Sequence, residues 1–164
     1  MGEEENMTEK ISIPLLLKHE FTMRVYSSLI KGFLYAIREI YGANAALEVY
    51  EKVCTMDDRV RNLTNSLLDV FQLKGNDVET IGNWFNIWFE LTGYEYTWLE
   101  QSNKMSRVRI TKCPFKTEPE DLSDWAKIFA YIVTKTINPK SVFERPKGMC
   151  AGDPYCEYVW KIEE

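Results

Sequence analysis

The sequence predicts an α+β fold: a helical N-terminal half packed on an antiparallel sheet of about four strands, made of two hairpins joined by a helix. Three observations carry this. Up to Gly93 the apolar residues recur with the helical period, from Tyr94 the period drops to two, and after one more helical stretch a second alternating segment closes the chain. At 164 residues the chain fits one domain, read as 11–164 behind a polar, acid-rich tail over residues 1–10.

Phe21, Val25, Leu29, Phe33, Ile37 and Tyr41 recur every four positions before Gly42, which makes roughly Leu15 to Tyr41 a long amphipathic helix. Asn44 is placed to cap a second helix that runs through Cys54. Asp57 or Asp58 is placed to cap a third, with Val60, Leu63, Leu67, Val70 and Phe71 as its apolar face. Asp77 opens a fourth helix whose face carries Ile81, Trp84, Phe85, Trp88, Phe89 and Leu91 and ends at Gly93. Tyr94, Tyr96 and Trp98 then alternate with Glu95, Thr97 and Leu99, and Val108 and Ile110 with Arg107, Arg109 and Thr111, as in two antiparallel strands. Thr117 and Glu120 form a capping box ahead of a fifth helix with a stripe of Trp125, Ile128, Phe129, Ile132 and Val133, broken at Asn138 and Pro139. The last hairpin pairs Ser141–Arg145 with Tyr155–Ile162 around Gly152, Asp153 and Pro154.

The composition, 45% hydrophobic and 13% aromatic, is that of a chain with enough apolar surface to fold on its own. A net charge of −5 with no basic stripe gives no attraction to nucleic acid or to an anionic membrane. The longest apolar run, Ile13 to Leu17, is far short of a membrane span, and Glu3, Glu4 and Glu5 stand where a signal peptide would be positive, so a cytoplasmic location is expected. In that reducing compartment Cys54, Cys113, Cys150 and Cys156 are read as buried thiols, metal ligands or reactive groups, not disulfides.

Three of these cysteines fall in the strand-rich part. Cys113, Cys150 and Cys156 can meet at one end of the sheet, and Glu144 is the nearest acid for a fourth ligand of a structural zinc. Their spacing is not that of zinc fingers or ribbons, and burial as small apolar groups is the competing reading. Cys54, remote in sequence, is read as core.

The segment Cys150-Ala151-Gly152-Asp153-Pro154-Tyr155-Cys156-Glu157-Tyr158 resembles the C-terminal signature of the 4-vinyl reductase-like domain family. The stretch Ile110-Thr111-Lys112-Cys113-Pro114-Phe115, with Asn138-Pro139 beyond the next helix, is similar to the related L-2-amino-thiazoline-4-carboxylate hydrolase family. The first resemblance implies a small-molecule-binding domain, of the kind that senses aromatic effectors for transcription activators, with cysteines and a glutamate holding a structural zinc. One departure bears on the ligands: the family's earlier cysteine falls at Gly148 here, whereas this chain has Cys150.

Three functions follow. In a binding module, Trp84, Phe85, Trp88 and Phe89 with the strand aromatics Tyr94, Tyr96 and Trp98 would line an apolar pocket for a small hydrophobic or aromatic ligand. A hydrolase opening a small heterocycle or amide-like C–N bond, as the second resemblance implies, would need a cysteine nucleophile and a base, and the sole histidine, His19, reads as a surface residue. An interaction module would form a homodimer through exposed aromatics. Asp153 and Glu157 are read as turn and surface residues. No dinucleotide or iron–sulfur motif supports reductase chemistry.

Overall fold

The computed structural model describes residues 14–117 and 120–162; the tail expected over residues 1–10 lies outside them. Helices α1 (Leu15–Tyr41), α2 (Ala43–Thr55), α3 (Arg59–Val70) and α4 (Val78–Thr92) precede strands β1 (Glu95–Gln101) and β2 (Met105–Lys112), followed by α5 (Trp125–Ile137), β3 (Ser141–Lys147) and β4 (Cys156–Ile162). The strands form one antiparallel sheet in the order β1-β2-β4-β3. The fold is α+β, with the helices on one face.

Period-two alternation sets that face. Ser106, Val108 and Ile110 of β2 point to the helices, and their register partners Trp160, Tyr158 and Cys156 of β4 point with them. The intervening Arg107 and Glu157 lie on the opposite face and pair at 2.8 Å. Helix α4 lies close on this sheet because Gly82 faces Ser106. A Cβ at Gly82 would come within 2.9 Å of the Ser106 hydroxyl, which donates to the Val78 carbonyl at 3.2 Å. Trp84, Phe85, Phe89 and Trp160 are all but inaccessible, and the Phe85 and Trp160 rings lie 4.5 Å apart.

Asp77 caps α4 as its sequence position predicts, its carboxylate accepting from the Thr80 amide at 2.8 Å. Other boundaries differ. Asp58 precedes α3 in the left-handed region and makes no side-chain cap, and α2 begins at Ala43, directly after Gly42, instead of after Asn44. Helix α5 starts at Trp125 after a short 3-10 turn, Glu120–Leu122; Thr117 is spent elsewhere, fully buried with its amide donating to the Cys150 sulfur at 3.3 Å. On α3 the inward residues are Val60 and Thr64, with Leu67 and Leu68 half-buried, while Val70 and Phe71 are exposed.

The apolar row that marks α1 in the sequence does not pack inward. Ser27 and Leu34 are buried and Met23, Ile30 and Ile37 half-buried against α2 and α5, whereas Phe21, Val25, Leu29, Phe33 and Tyr41 are exposed. A row spaced by four drifts by about 40° per step around a 3.6-residue helix, so it cannot stay on the inner face. Among the described residues no helix is long and apolar enough to cross a membrane.

Candidate functional site

A cavity of about 130 Å³ opens where the two apolar clusters of the molecule meet. Helix α4 supplies Phe85, Trp88 and Phe89 to its wall, and α5 supplies Trp125, Ala126 and Phe129. Ile30 of α1 and Tyr50 of α2 close one side. Tyr94 at the head of β1, Phe115 after β2 and Tyr158 of β4 form the floor. The rings pack edge to face or tilted, with Tyr50 and Trp125 at 5.3 Å and Phe89 and Tyr94 at 4.9 Å.

Among the described residues no charged side chain lines this cavity; the polar side chains in its wall are those of Tyr50, Tyr94, Tyr158, Trp88 and Trp125. The Tyr50 hydroxyl is hydrogen-bonded to the Cys54 thiol and the Tyr94 hydroxyl to the Cys113 thiol. Burial, more than any neighbour, holds Tyr50, Tyr94 and Tyr158 well above the ordinary tyrosine value, so all three stay neutral. The site is thus uncharged and apolar, with hydroxyls able to meet one polar group of a ligand.

Of the seven aromatics expected to line a pocket, the structure brings Phe85, Trp88, Phe89 and Tyr94 to the cavity. Trp84 is core, its indole N–H donating to the Thr64 carbonyl at 3.1 Å. Tyr96 and Trp98 turn to another face of α4, where the Tyr96 hydroxyl donates to Asn86 and Glu90 and the Trp98 indole donates to Asn86 at 2.9 Å. The remaining wall comes from residues the sequence reading placed elsewhere. Trp125 and Phe129 lie on the recognised stripe of α5, and Tyr158 alternates with Cys156 and Trp160, so both carried a signal of facing inward. Tyr50 carried none.

The three cysteines of the strand-rich half lie in one neighbourhood, with Cys150 and Cys156 near Cys113. Each is already engaged. The Met149 amide donates to Cys156 at 3.2 Å, the Thr117 amide donates to Cys150, and Cys113 bonds with the Phe115 backbone and Tyr94. Glu144 does not join them. It lies opposite Val159 in the register, on the sheet face away from the helices, and pairs with Lys161 at 2.6 Å, whereas Cys156 shares the inner face with Tyr158's neighbours Trp160 and Ile110. Among the described residues no group of three His, Cys, Asp or Glu side chains is placed to hold a metal ion. The expected zinc donor set of Cys113, Glu144, Cys150 and Cys156 therefore does not fit a tetrahedral site.

The thiols are also poorly disposed as nucleophiles. Burial pushes Cys113 up to about 12 and raises Cys54 and Cys156 from their ordinary value. His19 is exposed on α1, in a groove with Glu20, Arg24 and Lys31 that also includes Lys112 and Pro114, and no hydrogen bond joins it to a cysteine among the described residues.

Solved structures share this architecture. Subunit 3 of a trafficking protein particle complex from Naegleria fowleri, solved covalently bound to palmitic acid, matches with a TM-score of 0.63 at 12% identity, over 88% of this chain and 97% of its own. The phenol-responsive sensory domain of the transcription activator PoxR, solved with phenol, matches with a TM-score of 0.54 at 12% identity, over 85% of this chain and 74% of its own. No protein-family model matches the chain, and no curated protein matches it in sequence.

Proposed function

We propose that this chain is a binding domain for a small, neutral, aromatic or otherwise apolar molecule, held in the cavity between α4, α5 and β4. The observation that carries the reading is a space of about 130 Å³ walled by aromatic rings, with neutral hydroxyls and no charge. Its size argues for a single ring. An apolar cavity of about 150 Å³ takes up benzene, and a long acyl chain would need the helices to part. That two folds of this kind were solved with phenol and with palmitic acid supports binding of apolar ligands in general. The resemblance of the Cys150–Tyr158 segment to 4-vinyl reductase-like domains points the same way. All four cysteines are free, which suits a cytoplasmic module.

Titration with phenol, followed by tryptophan fluorescence, tests the reading, because Trp88 and Trp125 both face the cavity. Saturable quenching is expected with phenol and weaker binding with benzoate, whose charge finds no partner there. Absence of saturable binding across phenol, cresols and toluene would overturn it.

A further inference from the structure

One charged side chain enters the neighbourhood of the three cysteines. Phe143 of β3 stands opposite Trp160 in the register and packs on Trp160 and Tyr158, so alternation turns Arg145 to the same inner face while Glu144 faces out. The Arg145 side chain is only 3% exposed. Its fork divides, one end donating to the Ser123 carbonyl at 2.6 Å and the other to the Asp124 carboxylate at 3.3 Å. Its charge is also felt by Cys156 and Tyr158.

Gly148 is the position at which the resemblance of the C-terminal segment sets a further cysteine, and Arg145 accounts for the glycine. The backbone there is extended, with φ −143°, so conformation gives no reason for it. A Cβ on Gly148 would lie 3.1 Å from Cζ and Nε of Arg145 and 3.3 Å from Nη2. A thiol reaching beyond that Cβ would run into the guanidinium, and a metal ion at the same point would meet a fixed positive charge. The elements such an ion would join are joined without it. The Thr117 amide on the Cys150 sulfur, at 3.3 Å, ties the chain beyond β2 to the turn after β3, and the Met149 amide on Cys156, at 3.2 Å, ties that turn to β4. The Gly148 amide donates to the Asp153 carboxylate at 2.8 Å and closes the turn. Arg145 adds the bond from β3 to the residues leading into α5, whose Trp125 and Ala126 wall the cavity.

We infer that Arg145 is the positioning residue of a metal-free clamp: its guanidinium takes the place of the structural zinc that the resemblance implies, and it fixes the start of α5, and with it one wall of the cavity, to the sheet.

Converting the clamp into a metal site tests this. Arg145→Glu combined with Gly148→Cys removes the guanidinium and offers a carboxylate and a further thiol beside Cys113 and Cys156. The double variant is expected to bind about one zinc per chain, to gain about 5 °C or more in Tm on adding zinc, and to lose that uptake when Cys156→Ser is introduced as well. Folding only in the presence of zinc would be the same result in its extreme form. A general stabilising role for Arg145 predicts no such gain, so a double variant that takes up no zinc, or whose uptake survives Cys156→Ser, would overturn the inference. Wild-type Tm is expected to be the same in zinc and in EDTA, and a fall in EDTA would likewise overturn it. Arg145→Met keeps the bulk and removes the donors; it is expected to fold with a Tm lower by about 4–8 °C that zinc does not restore. An Arg145→Met protein as stable as the wild type would show that the guanidinium fastens nothing.

Discussion

Ala126→Leu separates an empty cavity from a solid core by the sign of its effect. Ala126 faces the cavity from α5, so leucine would place three more carbons there, and at about 0.8 kcal/mol per buried CH2 the ligand-free protein gains at most about 2 kcal/mol. Were the region closely packed, the same carbons would force neighbouring rings off their rotamers and destabilise by about 1–3 kcal/mol. Urea unfolding followed by tryptophan fluorescence reads the difference, and in a chain of this size 1 kcal/mol also moves Tm by about 2–4 °C. The expected result is unchanged or raised stability together with loss of phenol binding. A destabilised variant, or a stable one that still binds phenol with wild-type affinity, would refute the assignment of this space as the ligand site.

Gly82→Ala is expected to destabilise despite the better helix propensity of alanine, because the new methyl meets the buried Ser106 hydroxyl; a net loss of about 1–2 kcal/mol in urea unfolding checks it. Asp77→Ala removes the α4 cap and is expected to cost about 1 kcal/mol. Hydrogen bonds from the Thr80 amide and hydroxyl hold the Asp77 carboxyl below its ordinary value, so its contribution is present above the unfolded carboxylate range and is lost as pH falls through the folded value; the mutant and wild-type stability curves are expected to converge in acid. Cys113 has the opposite sign. Its thiol is raised from 9.0 to about 12 by burial, so the stability it contributes is intact below pH 9.0 and is lost as pH rises toward 12, and iodoacetamide at neutral pH is expected to leave it unmodified until urea unfolds the chain. Zinc analysis of protein purified without chelator is expected to show much less than one ion per chain, with no change in Cys156→Ser.

Much of the fold was legible because period and punctuation are local. The change from helical period to alternation at Gly93, the Asp77 cap and the stop at Asn138 depend on neighbours within one turn, and the structure keeps them. The candidate site was legible in part. Phe85, Trp88 and Phe89 stood on an aromatic face, but that Trp84 turns to Thr64 and Trp98 to Asn86 is decided by which elements stand beside α4. Glu144 shows the same limit. Nearness to Cys150 in the chain suggested a shared site, yet strand alternation and the register with Val159 put its carboxylate through the sheet on the other side.

By itself, then, the sequence determined the class of fold, the order of its helices and strands and the apolar character of its interior. Tertiary structure alone decided the strand order β1-β2-β4-β3, which aromatics surround space and which fill it, and that the long row on α1 faces outward. The physical reason is common to all three. Hydrophobic period records that a residue is apolar on one side of its element, whereas what lies against that side is chosen by packing between elements far apart in the chain.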